Sequence, residues 1–104
     1  MSFRRYEILL PTKYNDGSSV ERRKYLQTYR EIASQFGGVS FHGGVTHGRW
    51  IHEGKTYEES HRKVLVDVED TPEAEAFFVE LKVILKERFR QLDIWIVSYE
   101  IRIT

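Results

Sequence analysis

A chain of 104 residues makes one small domain with a single core. Its 16 Lys and Arg balance 16 Asp and Glu, so the formal net charge is zero and bulk attraction to a polyanion is excluded. A composition 40% hydrophobic and 31% charged excludes a disordered chain, the apolar runs fall short of the roughly 18 residues of a membrane span, and the absence of cysteine excludes disulfides and thiolate chemistry.

The opening stretch, Met1 to Arg5, carries no signal-peptide core and predicts a cytoplasmic location. RRYEILLP then reads as a strand. Tyr6, Ile8 and Leu10 share one face, and Arg5, Glu7 and Leu9 share the other. Pro11 lacks a donor and weakens pairing at the strand's end. Tyr14-Asn15-Asp16-Gly17 is a turn cluster. Ser18 stands three residues before Glu21, the spacing of a capping box, and predicts a helix from there to about Phe36. Leu26, Tyr29, Ile32, Ala33 and Phe36 form its apolar stripe, flanked by Tyr25. Gly37-Gly38 ends it.

From Val39 the period becomes two. Val39, Phe41, Gly43 and Val45 alternate with Ser40, His42 and Gly44, and Gly43-Gly44 marks a bulge. A two-residue turn at Glu53-Gly54 folds this strand onto the next. That register sets Arg49 opposite Glu58, Trp50 opposite Tyr57, Phe41 opposite Val66, Val45 opposite Arg62 and Val39 opposite Val68. In VLVDVEDTPE the strand ends near Val68, Asp70 or Thr71 caps a helix, and Pro72 lies in its first turn. This helix runs to about Leu92, with Phe77, Phe78, Leu81, Ile84, Leu85 and Phe89 making its wide buried stripe and Arg88 and Arg90 near its end suiting the dipole. The last strand spans Asp93 to Thr104, where Trp95, Val97, Tyr99, Ile101 and Ile103 alternate with Ile94, Ile96, Ser98, Glu100 and Arg102. The order β-α-β-β-α-β predicts an α+β, ferredoxin-like sandwich: a four-stranded antiparallel sheet with two helices on one face.

The segments RRYEILLP, YNDG, GRWIHEG, YEE, VDVEDTPE and LKERFRQLDIW resemble a family of small bacterial proteins with no assigned chemistry. The resemblance spans nearly the whole chain. It implies a compact one-domain α+β protein and carries no catalytic residue.

Function is expected on the sheet face without helices. By strand parity that face receives Arg5, Glu7, Leu9, His42, His61, Lys63, Leu65, Asp67, Ile94, Ile96, Ser98, Glu100 and Arg102. Its apolar members, Leu9, Leu65, Ile94 and Ile96, together with Trp50 and Tyr57 of the hairpin, make a patch that predicts a homo-oligomer. The leading expectation is a domain that self-associates and binds a protein partner or a small ligand near Trp50 and Tyr57. The alternative is a small metal-assisted hydrolase or nuclease using Glu7, Glu100, His42 and His61. It predicts convergence of those side chains within about 6 Å. The histidines do not make a metal set, since His42 and His52 share parity but lie about 33 Å apart along a strand. No cofactor motif appears, because neither glycine pair opens a helix onto a phosphate. Lys82, Lys86 and Arg90 recur every four residues, but Glu80 and Glu87 interleave with them, which argues against nucleic acid.

Overall fold

The structure is a computed structural model that describes residues 1–38, 40, 41 and 45–104, and the side chains of all these except residues 40, 41 and 50. The expected bulge at Gly43-Gly44, the Val39–Val68 pair and the placement of His42 lie outside the described residues. Seven elements follow in order: β1 (Phe3–Pro11), α1 (Arg22–Phe36), β2 (Ser40–Phe41), β3 (Thr46–His52), β4 (Lys55–Glu69), α2 (Pro72–Arg88) and β5 (Trp95–Ile101). The strands form one antiparallel sheet ordered β2-β4-β1-β5, with β3 also on β4.

The sheet has five strands among the described residues where four were expected, because the second expected strand is divided. Its two pieces, β2 and β3, both pair with β4. Phe41 stands opposite Val64 rather than Val66, while Thr46 stands opposite His61. Two more residues therefore separate these pairs on the β2–β3 side than on β4. Val45 lies outside the ladder and is exposed, so its expected pairing with Arg62 does not form. An even excess keeps the two strands' face assignments aligned, since side chains alternate with a period of two.

The β3–β4 hairpin has the expected register. Arg49 is opposite Glu58, Trp50 opposite Tyr57, and His52 closes on Lys55. Glu53 and Gly54 both take positive φ, 51° and 73°, as a two-residue turn matched to strand twist requires. Beyond the Pro11–His61 pair, β4 runs on to Lys55 against β3, so the hairpin projects as an arm. The molecule measures 46 Å along its longest axis against 29 and 25 Å across.

Both helices cover the same sheet face. Tyr6, Ile8 and Leu10 of β1, and Val64, Val66 and Val68 of β4, form one buried cluster with Tyr25 and Ile32 of α1, Ala74, Phe78, Leu81 and Leu85 of α2, and Phe89 just past its end. Tyr6 stacks on Phe78 at 3.8 Å between ring centroids. A polar clasp joins the helices beside this core. Lys24 Nζ donates to the Arg88 carbonyl at 2.7 Å, and Arg88 donates to Thr28 Oγ1 and Glu31 at 2.9 and 2.6 Å. Arg88, expected only to suit the helix dipole, is thus a half-buried polar anchor between the helices, while Ile84, expected on the buried stripe, is exposed.

The helix ends depart from the sequence reading for identifiable reasons. Ser18 does not cap α1; its hydroxyl and its amide both donate to Asp16 Oδ1. Glu21 instead accepts from the Tyr14 hydroxyl, and α1 begins one residue later, at Arg22. Tyr25 and Thr28 are buried in place of Leu26. On α2, the Thr71 side chain accepts from the Ala74 amide at 3.1 Å, as a cap should. The helix stops at Arg88, short of Leu92. Arg90 takes φ 54°, its amide donating to Glu87 and the Gln91 amide to Lys86, the two bonds of a Schellman cap.

The larger correction concerns β5. Ile8 of the core pairs with Ile96, so Ile94, Ile96, Ser98 and Glu100 lie on the helix side. Ile94 is 2% exposed. The helix-free face receives Trp95, Val97, Tyr99 and Ile101 instead, opposite Leu9, Glu7, Arg5 and Phe3. By alternation the fully apolar set Trp95, Val97, Tyr99 and Ile101 reads as the inward one, but pairing with β1 turns it outward and puts Ser98 and Glu100 on the helix side.

Candidate functional site

The loop after β1 closes on itself before the chain enters α1. The Tyr14 amide donates to Ser18 at 2.8 Å, the Gly17 amide to Tyr14 at 3.0 Å, and Val20 back to Thr12 at 3.0 Å. The Tyr25 hydroxyl donates to the Pro11 carbonyl at 2.6 Å and ties the end of β1 to α1. Arg90, held in its left-handed position, stacks on the Tyr14 ring at 4.9 Å, and Lys24 approaches the same ring at 4.8 Å. This loop therefore sits against the turn that leads into β5, while the hairpin arm rises on its other side.

Between these three elements lies an open cleft of about 850 Å³. The β1 end and loop contribute Leu9, Lys13 and Tyr14; the arm contributes His47, Arg49, Glu58, Glu59 and His61; the β5 approach contributes Asp93 and Trp95. Leu9 and Trp95 are register partners on the helix-free face, so the cleft floor runs directly into that face. Trp95 is 62% exposed.

The carboxylates lining the cleft are already matched. Glu58 pairs with Arg49 at 2.6 Å, Glu59 with His61 at 3.4 Å, and Asp93 with Lys82 at 3.0 Å. The bond from Lys82 holds the Asp93 carboxyl below its usual range. Three carboxylates, Glu58, Glu59 and Asp93, thus stand with three cations, Arg49, Lys13 and the Lys82 that holds Asp93, so the cleft has no surplus of positive charge. Neither helix begins among the lining residues, so no helix N-terminus offers amides to an anion there. Two hydroxyls, Thr12 Oγ1 and Ser60 Oγ, meet at 2.5 Å in the wall. The arrangement suits a neutral, partly aromatic ligand rather than a polyphosphate.

The helix-free face beside the cleft combines a polar pair with an apolar strip. Arg5 makes two bonds to Asp67, 2.7 and 2.9 Å, which lower the Asp67 carboxyl and raise the guanidinium. The Tyr99 hydroxyl donates to Glu7 at 2.6 Å, and that bond raises the phenol. Around them lie Leu9, Leu65, Trp95, Val97 and Ile101.

The sequence candidates separate on this frame. Leu9 and Leu65 are on the helix-free face as expected; Ile94 and Ile96 belong to the core side. Tyr57 lies on the arm, opposite Trp50 by register. Glu7 and Glu100 do not form a carboxylate pair, because they project from opposite faces: Glu7 bonds Tyr99, while Glu100 pairs across the ladder with Arg4. His61 stands opposite Pro11, four residues along β1 from Glu7, about 13 Å at strand rise. Among the described residues, no three His, Asp or Glu side chains gather as metal ligands would. The basic stripe on α2 is broken up, with Lys82 on Asp93 and Arg90 on Tyr14. Among the described residues, no helix is long and apolar enough to cross a membrane. Sequence reasoning passed over Trp95, Lys13 and Asp93. Trp95 stood in a fully apolar alternating set, which reads as core, and the other two come together only through the tertiary fold.

No family model and no curated protein matches the chain. Solved structures do share its fold. A phage SAM lyase in its apo state superposes with a TM-score of 0.69 at 16% identity, covering 95% of this chain and 81% of that one. A phage SAM lyase in complex with S-methyl-5′-thioadenosine gives 0.65 at 15% identity, covering 98% and 90%. The B. subtilis GlnK–ATP complex gives 0.60 at 14% identity, covering 96% and 82%.

Proposed function

We propose that this chain is a ferredoxin-like, self-associating domain that binds a nucleoside-type small molecule in the cleft at the base of its hairpin arm. In this arrangement the second strand of the fold is the divided β2–β3 edge. The observation that carries the reading is the continuity of two surfaces at Leu9 and Trp95. Both residues line the cleft, and both belong to the apolar strip of the helix-free face. Self-association over that strip would complete the cleft's open side, so assembly and ligand binding become one property.

The ligand class follows from charge and shape. Trp95 offers an exposed indole for stacking, and the hydroxyls of Thr12 and Ser60 offer hydrogen bonds. The carboxylates, each already paired with a basic side chain, leave no surplus of positive charge for a triphosphate and tolerate a neutral group. Two proteins of this fold are solved in complex with adenosine-containing ligands, S-methyl-5′-thioadenosine and ATP. The charge balance favours the first, which is uncharged.

The test is isothermal titration of the full chain with S-methyl-5′-thioadenosine and with ATP, beside light scattering across a concentration series. Binding of the nucleoside without ATP, in an associating protein, supports the reading. A monomer at high micromolar concentration that binds neither compound refutes it. The hydrolase alternative needs Glu7 and Glu100 on one face, which the β1–β5 register does not provide.

A further inference from the structure

We propose that two copies of the chain join by pairing their β5 strands antiparallel about a two-fold axis at Ser98, producing one continuous sheet with the α2 helices side by side. The proposal rests on the self-association in the reading above and adds a second contact at the sheet edge, distinct from the helix-free strip, which edge pairing extends across both copies without covering.

β5 is an edge strand. β1 occupies one side, and among the described residues no strand occupies the other. Proteins guard such edges with lysine, proline, bulges or short length. The seven residues WIVSYEI carry no proline and no cation, and their single charge is Glu100. The opposite edge is different. It is divided at β2–β3, and β3 carries His47, Gly48, Arg49 and His52. One edge is defended and the other is built for pairing.

The flank of α2 points the same way. Val79 and Val83 lie one turn apart on that helix and are 63% and 66% exposed. Val79 lines a groove of about 360 Å³ with Phe78, Lys82, Ile96 and Ser98, so it adjoins the open edge, and Val83 continues the exposed stripe one turn on. A second copy related by a two-fold axis through Ser98 covers strand and helix flank together.

The register is self-consistent. An axis perpendicular to the sheet opposes residues of equal parity, which keeps like faces together. Ser98 meets Ser98 of the second copy, Val97 meets its Tyr99, and Trp95 meets its Ile101. These are the aromatic–aliphatic cross-strand pairs that stabilise ladders. Glu100 of the second copy falls opposite Ile96, beside a groove that Arg4, Asp70, Glu75 and Lys82 line together, so the register rests on the apolar pairs and not on charge.

The chain has no cysteine, so a single introduced thiol reports one contact. Ser98→Cys, oxidised with copper phenanthroline at a concentration where light scattering shows association, gives a disulfide-linked dimer on a non-reducing gel. Ser34→Cys, exposed on α1, does not. Val83→Glu weakens the dimer more than about tenfold while leaving the thermal midpoint of the dilute chain in place. Association with no Ser98→Cys cross-link, undiminished in Val83→Glu, overturns edge pairing and leaves the broader reading standing. A chain that stays monomeric by light scattering overturns both.

Discussion

Replacing Trp95 with alanine separates assembly from folding. The indole is 62% exposed, and a whole tryptophan side chain presents about 250 Å². Covering the exposed part removes about 150 Å² from water, about 4 kcal/mol at roughly 25 cal/mol per Å². Ordering the ring and the residual contact of an alanine methyl reduce the expected loss to about 2–3 kcal/mol. That corresponds to a dissociation constant on the order of a hundredfold weaker for each indole the contact covers. Sedimentation equilibrium of wild type and Trp95→Ala, run from micromolar to millimolar concentration, reads this directly. Leu65→Lys is the companion variant. Leu65 shares the helix-free face but does not line the cleft, so it should lose association and keep direct contacts with ligand. Equal dissociation constants for wild type and Trp95→Ala would refute the claim that the helix-free strip carries assembly. A large drop in the thermal midpoint of dilute Trp95→Ala would refute the placement of its side chain outside the core.

Ile94→Ala is the converse experiment: at 2% exposure its truncation should cost about 2–4 kcal/mol in urea unfolding, with association measured below the transition unchanged. Acid titration addresses the loop at the cleft. The bond from Tyr14 pulls the Glu21 carboxyl from 4.5 to about 2, so its contribution to stability is full above about pH 4.5 and is lost as pH falls through about 2. The stability gap between wild type and Tyr14→Phe, followed by thermal melts from pH 6 to pH 2, should therefore be widest at pH 6 and narrow on acidification. At the α2 cap, Arg90→Gly should be more stable than Arg90→Ala by about 1 kcal/mol. Both lose the stack on Tyr14, and only alanine keeps the left-handed strain.

Local chemistry was legible in the amino-acid sequence wherever the determining groups are near neighbours. The β3–β4 register follows from a two-residue turn, and the structure keeps Arg49 opposite Glu58. Thr71 and Pro72 announce the start of α2, and the Tyr6, Ile8 and Leu10 face of β1 is buried as its alternation requires. The start of α1 failed as a local reading because two competing bonds were available to one motif. Asp16 took the Ser18 hydroxyl, and Tyr14, seven residues back, took Glu21. β5 failed for a different reason. Period two divides a strand into two sets of residues and points the more apolar one inward, which here is Trp95, Val97, Tyr99 and Ile101. Pairing with β1 instead turns the set of Ile96, Ser98 and Glu100 toward the helices, beside the buried Ile94. The cleft is likewise a product of tertiary structure. Lys13, His47, Asp93 and Trp95 are scattered along the chain and meet because the sheet sets the end of β1 between the arm and the approach to β5. Spacing along a chain encodes turns, caps and stripes; convergence across a sheet depends on which strands become neighbours, and that is settled by burial of the whole core at once.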